Sequence, residues 1–148
     1  MSRRTLLNTL VQLSRFGLAA LFLFAACAKP FTIADFVSNL SNLSNLVEQR
    51  WVWPAALAVI ASELTAAALL LWPRTVRLGA LLAAALLLAF AAYALYYVYV
   101  LHGEPLECGC FGRLIASQLG VATALRNLAL LLPAALVFLC PPRRRPHP

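Results

Sequence analysis

The stretch LGALLAAALLLAFAAYALYYVYV, residues 78–100, decides the fold, because no charged side chain occurs in it. At about 1.5 Å per residue, a helix of this length spans about 35 Å, enough to cross a hydrocarbon core of about 30 Å. Its long Ala and Leu runs favour a helix over the alternating pattern of a membrane β-barrel. The stretch therefore predicts a transmembrane helix.

Three further apolar stretches have similar lengths, at residues 6–28, 54–72 and 117–139. The chain of 148 residues is 63% hydrophobic and 11% charged, whereas soluble domains are about 45–50% apolar and about 25% charged. Lipid must therefore solvate most of the surface, and the lipid bilayer is the first expected partner. The sequence predicts an all-α integral membrane protein, in which residues 1–148 form a single membrane domain with a four-transmembrane-helix bundle.

The arginines predict how this bundle is oriented. With four spans, both termini share one side, and that side has no acidic residue but carries Arg3, Arg4, Arg74, Arg77, Arg143, Arg144 and Arg145. The other side mixes both signs of charge, with Lys29, Arg50, Arg113, Asp35, Glu48, Glu104 and Glu107. The positive-inside rule then puts both termini, the 73–77 turn and the basic tail 141–148 in the cytoplasm. Since this rule explains the net charge of +7, nucleic acid is not an expected partner.

Residues 31–50 separate the first two spans and predict a short interfacial helix in the first outward loop. If this helix is capped by Asp35, one of its sides carries Phe36, Leu40, Leu43 and Val47. Trp51 and Trp53 then mark the headgroup level at which the second span enters the bilayer.

Three of the four cysteines fall on the outward side. Cys108 and Cys110 flank Gly109 in the loop 101–114, and Cys27 lies at the outer end of the first helix. Two cysteines one residue apart form a strained ring, which is easily reduced, and this suits a disulfide that is exchanged. The pattern indicates a redox role for Cys108 and Cys110 with Cys27 as a third thiol, while Cys140 is a packing residue.

Other interpretations of these thiols stay open. Cys27 can form a structural bridge with Cys108 or Cys110, or two thiolates can hold Cu(I), with His102 as the one additional soft ligand in the loop. The thiols can also be inert. The sequence contains no pattern of ligands that specifies a metal site, and neither a phosphate-binding loop nor a Ser/His/Asp arrangement. Hydrolases and nucleotide-driven enzymes are therefore disfavoured.

Three ionisable residues fall deep within the spans, namely Arg15, Glu63 and Arg126. A charge near the bilayer centre is costly unless it is paired or faces water, so these side chains are expected to point inward. We expect Glu63 to pair with Arg126, and Asn127 to add a polar contact. The arrangement predicts either a structural ion pair or a polar pocket that binds a quinone headgroup or relays a proton.

The chain resembles the MauE/DoxX-like redox-associated membrane proteins from about Arg15 to Leu139. The resemblance rests on small residues before Lys29-Pro30, Glu63 within the second helix, the block Cys108-Gly109-Cys110-Phe111-Gly112 and the pair Arg126-Asn127. It implies a four-helix bundle associated with the maturation of periplasmic or exported proteins, including methylamine dehydrogenase in methylamine utilisation. It also implies a multi-pass protein of the bacterial inner (cytoplasmic) membrane, with a periplasmic thioredoxin-like partner.

These observations lead to one main hypothesis, an inner-membrane thiol-disulfide redox protein. Cys108 and Cys110 would exchange with the partner, and the polar intramembrane site would be lined by Arg15, Lys29, Glu63, Arg126 and Asn127. A quinone is the cofactor class expected if electrons pass to a membrane carrier, and no other cofactor is predicted. The alternatives are a non-catalytic assembly factor with a structural disulfide, and a soft-metal or small-solute transporter.

Overall fold

The computed structural model describes residues 3–41, 48–102 and 120–140. These residues form six α-helices and one 3-10 turn and contain no strand. In chain order the helices are α1 (Arg3–Ala28), α2 (Ile33–Ser41), α3 (Gln49–Leu71), α4 (Val76–Tyr99), α5 (Val121–Ala129) and α6 (Leu131–Leu139), and the 3-10 turn Lys29–Thr32 joins α1 to α2.

Four helical stretches in the described part of the chain are long and apolar enough to cross a bilayer. They are Thr5–Phe31, Gln49–Leu71, Val76–Tyr99 and Val121–Leu139. The predicted all-α architecture with four spans is confirmed. The helix α2 lies within the segment 31–50, where an interfacial helix was expected, and the cytoplasmic location of the termini stays a prediction.

The spans run antiparallel because the connections between them return the chain to the same end of the bundle. One end carries Leu71, Val76 and Leu139 and is called here the termini end. The opposite end, called the loop end, carries Ala28, Gln49, Tyr99 and Val121. The helix α4 packs against α3, α5 and α6, while α1 packs against α3 and α6. This arrangement places α1, α3, α4 and α5 around the middle of the bundle.

Small residues dominate the contacts between the helices. Nearer the termini end, the buried cluster consists of Leu18, Ala19, Phe22, Ala66, Ala67, Leu70, Val76, Ala80, Ala83, Leu87, Ala134 and Val137. Nearer the loop end, a smaller cluster consists of Ala91, Ala94, Tyr97 and Ala124. In lipid, helices associate through close van der Waals packing, because moving apolar side chains from lipid into a helix interface gains little free energy. The alanines permit this close approach.

The fourth span, Val121–Leu139, lies within the predicted range 117–139 and has a break at Leu130. The helix α5 ends at Ala129 and α6 begins at Leu131. Pro133 explains the break, because proline has no backbone N–H for the carbonyl four residues earlier and its ring clashes with that carbonyl. The predicted residues 117–119 lie outside the described part of the chain.

Candidate functional site

A buried ion pair joins the loop end of α1 to the interior of α3. The Lys29 Nζ donates hydrogen bonds to Glu63 Oε1 at 2.6 Å and to Glu63 Oε2 at 2.8 Å. The exposed fraction is 0% for the Lys29 side chain and 1% for the Glu63 side chain. The predicted pair of Glu63 with Arg126 is therefore wrong, since both carboxylate oxygens accept from Lys29.

The antiparallel arrangement of α1 and α3 explains why these two residues meet. Arg15 on α1 contacts Leu70 on α3 nearer the termini end. Counted from this contact toward the loop end, Lys29 lies farther along the chain than Glu63, and the helical rise places the Lys29 backbone roughly 10 Å closer to the loop end than the Glu63 backbone. Side chains on a helix lean toward its N-terminus. In antiparallel helices Lys29 therefore leans into the bundle while Glu63 leans toward the loop end, and the two side chains close the gap.

Two aromatic rings flank the Lys29 ammonium group. The distance from Nζ to the ring centroid is 5.4 Å for Phe36 and 5.5 Å for Phe90. A cation within about 6 Å of a ring face is attracted by the ring quadrupole, and the attraction is stronger when the cation is desolvated. Phe36 comes from α2 and Phe90 from α4, so three helices and the end of α1 enclose the charge.

The sequence interpretation did not include Phe36 and Phe90 in the site. Their roles depend on where α2 and α4 lie relative to Lys29, and no local sequence pattern predicts these positions. The one available signal was the apolar side predicted for the helix after Asp35, to which Phe36 belongs.

A cavity of about 20 Å³ lies beside Glu63. Its polar lining residues are Glu63 and Asn127, and its apolar lining residues are Leu21, Phe22, Ala25, Leu87 and Phe90. A cavity of this volume has room for about one water molecule. It does not hold the ring of a quinone, so the residues around Glu63 do not fit that cofactor and no step is assigned to it.

The Arg15 side chain binds the end of α3. Its Nε donates to the Leu70 carbonyl and its Nη2 to the Leu71 carbonyl, both at 2.6 Å. The last carbonyls of a helix lack partners within the helix. Arg15 satisfies two of them, so it stabilises the terminus of α3 and lies apart from the pair of Lys29 and Glu63.

The other two terminal carbonyls of α3 are satisfied by the following turn. The Trp72 N–H donates to the Ala68 carbonyl at 3.1 Å, and the Thr75 hydroxyl donates to the Leu69 carbonyl at 3.0 Å. Trp72 is extended, with φ −87° and ψ 121°, because Pro73 disfavours the helical conformation at the residue before it. The turn therefore ends α3 without leaving unpaired carbonyls.

We expect replacement of Arg15 by Met to lower the free energy of unfolding by about 2–3 kcal/mol, since two charge-assisted hydrogen bonds are lost. Arg15→Lys should recover part of this loss, because one ammonium reaches a carbonyl less well than a two-pronged guanidinium. Denaturation in mixed micelles measures the effect. The control is Arg74→Met, because Arg74 is exposed in the turn; an equal loss in the control would contradict the prediction.

The predicted site residues on α5 differ in whether they line the cavity. Asn127 is 5% exposed and faces the cavity, whereas Arg126, its neighbour on α5, is half-buried and contributes nothing to the cavity lining.

Cys27 carries an exposed free thiol near the loop end, and Cys140 carries a half-buried free thiol at the other end. Cys108 and Cys110 lie outside the described residues. Within the described ranges no three His, Cys, Asp or Glu side chains cluster as metal ligands.

The four spans and the buried pair define a multi-pass α-helical membrane protein with a polar centre. Residues 7–140 match the family model described as methylamine utilisation protein MauE, and the chain belongs to this family. The membership is consistent with a membrane protein involved in methylamine utilisation. No curated protein and no solved structure matches the chain.

Proposed function

We propose that the protein is a thiol-disulfide redox protein of the bacterial inner membrane, which supports the maturation of periplasmic or exported proteins. Cys108 and Cys110 exchange with a periplasmic thioredoxin-like protein. Within methylamine utilisation, methylamine dehydrogenase is the kind of protein whose maturation this exchange serves.

The topology of the loop end is the observation that carries the proposal. The connection that contains Cys108 and Cys110 starts after His102 and returns at Gly120, next to the loop-end termini of α4 and α5. Cys27 has its exposed thiol near the same end, whereas Cys140 follows α6 at the other end. A connection that begins and ends at the loop end favours thiols on the same side as Cys27, and this suits exchange with an external partner.

The charges at the termini end support an outward orientation of the loop end. Arg74 and Arg77 are exposed in and beside the turn between α3 and α4, and the terminal arginines belong to the same side in the sequence. Basic residues near span ends favour the cytoplasm. The loop end then faces the periplasm, where disulfides persist.

The exchange requires only the two thiols of the partner and the disulfide of this chain. A thiolate of the partner attacks one sulfur of the disulfide between Cys108 and Cys110 and forms a mixed disulfide. The second thiol of the partner then resolves the mixed disulfide. The partner becomes a disulfide, and this chain gains two electrons and two protons as two thiols. The reverse sequence reduces the partner.

Single replacements of Cys108 and Cys110 by Ser test the proposal. With protein in liposomes and a thioredoxin-like protein carrying a Cys-X-X-Cys motif, alkylation and mass spectrometry should show that both variants lose the exchange. One of them should accumulate the mixed disulfide. Cys140→Ser is the matched control and should exchange like the unaltered protein. Unchanged exchange in both loop variants would refute the proposal.

A second candidate, a non-catalytic assembly factor, is favoured by the interior of the bundle. The pair of Lys29 and Glu63 is fully buried, and the adjacent cavity is too small for a redox carrier. Under this alternative, Cys108→Ser lowers the amount of folded protein and no mixed disulfide forms. The same alkylation experiment therefore separates the two functions.

A further inference from the structure

The cavity beside Glu63 is also lined by a second polar side chain, that of Asn127. Only 5% of the Asn127 surface is exposed, and the residue lines the cavity. Buried amide groups need hydrogen-bond partners, and native proteins usually supply them as protein atoms or ordered water.

The rest of the cavity restricts what can bind to this amide. Its volume of about 20 Å³ corresponds to about one water molecule. The Glu63 carboxylate lines the same space, and its charge is already compensated by Lys29. A second cation would therefore meet no free negative charge, and an anion would be repelled by the carboxylate. A small neutral molecule that can both donate and accept a hydrogen bond fits both lining groups.

We propose that this cavity is an intramembrane binding site for a single water molecule that bridges Asn127 and Glu63. The water donates a hydrogen bond to the Glu63 carboxylate and accepts one from the Asn127 amide, and its second proton can be donated to the amide oxygen. A buried water typically has two to four polar partners, and these two residues supply them.

The bound water extends the ion pair into a continuous series of polar groups that links two helices to the turn after α1. The series runs from Lys29 in that turn, through Glu63 on α3 and the water, to Asn127 on α5. It gives the Glu63 carboxylate an exchangeable hydrogen-bond donor in addition to Lys29. This inference does not depend on the proposed redox function, because it uses no cysteine.

Radiolytic footprinting in H₂¹⁸O tests the site with the full-length protein in nanodiscs. A bound water that is activated by X-rays labels the side chains next to it, so Phe22 and Phe90, which line the cavity from within membrane spans, should acquire ¹⁸O. In Asn127→Leu, which removes the amide at similar size, labelling of these rings should fall at least fivefold. Thr65→Val is the matched control, since Thr65 is exposed on α3 and its hydroxyl donates to the Ala61 carbonyl. It should label like the unaltered protein.

A second variant keeps both polar groups and removes the space. Ala25→Val adds two carbons to a side chain that lines the cavity, so labelling should fall here as well. A loss in both Asn127→Leu and Ala25→Val supports the site. Unchanged labelling in both variants would overturn it, and a loss in Ala25→Val alone would overturn the role of Asn127 as a ligand of the water.

Discussion

Replacement of Glu63 by Leu is expected to lower the free energy of unfolding by about 3–5 kcal/mol, the range for a buried ion pair that loses one partner. The loss arises because the Lys29 ammonium, which is 0% exposed, stays in the bundle without its carboxylate. Lys29→Met should lower stability by a similar amount for the converse reason. Denaturation in mixed micelles, followed by tryptophan fluorescence, measures both variants.

The double variant Lys29→Met with Glu63→Leu distinguishes a charge effect from a packing effect. Apolar replacement of both members of a buried pair is often neutral or stabilising, so the double variant should recover most of the stability lost in each single variant. A double variant as unstable as the sum of the single variants would refute the paired role.

The exposed pair of Arg50 and Glu48 provides the matched control for the buried pair. Both side chains are mostly exposed, at 73% and 67%. Surface pairs contribute about 0–1 kcal/mol, so Glu48→Leu should change the stability little. The difference between Glu63→Leu and Glu48→Leu measures how much more stability is lost when the ion pair that loses its carboxylate is buried.

Replacement of Gly79 by Ala should produce the second large effect, a loss of about 2–3 kcal/mol, toward the upper end for overpacked sites. A Cβ atom at position 79 would lie 2.6 Å from the Leu70 backbone nitrogen and 2.8 Å from the Leu69 carbonyl carbon. Backbone atoms cannot rotate away as a flexible side chain can. The helices α3 and α4 would have to separate at the turn that joins them.

Gly17→Ala is the matched control, because a Cβ atom there would have no neighbour within 4 Å. Both glycines lie within helices, where Ala is favoured over Gly by about 0.5–1 kcal/mol. Gly17→Ala should therefore leave the thermal midpoint unchanged or raise it slightly, whereas Gly79→Ala should lower it by several degrees. Equal shifts in the two variants would contradict the role of close packing at Gly79.

The helical part of the architecture could be predicted because it depends on local properties. Residues 78–100 contain no charge, and the observed helix Val76–Tyr99 covers nearly the same range. The break in the fourth span was missed although Pro133 was visible, because proline within a transmembrane helix is often tolerated. Its effect depends on whether neighbouring groups restore the lost hydrogen bond.

The candidate site was predicted only in part. Glu63 and Asn127 were identified as polar residues in an apolar setting and Lys29 through the family resemblance. The structure pairs Glu63 with Lys29 and places Asn127 on the same cavity as Glu63. The predicted partner of Glu63 was wrong. The error came from measuring depth along each span separately, as if all spans began at the same level and all side chains pointed straight outward.

The sequence by itself determined that the chain is a helical membrane protein with four spans, because lipid requires every backbone polar group to be satisfied within its own helix. That requirement is local and can be recognised in composition and length. The tertiary structure alone decided that Glu63 binds Lys29 and that Arg15 binds the end of α3, across sequence separations of 34 and 55 residues. Such contacts depend on the axial offset between helices and on the direction in which each side chain leans, and no local stretch specifies either.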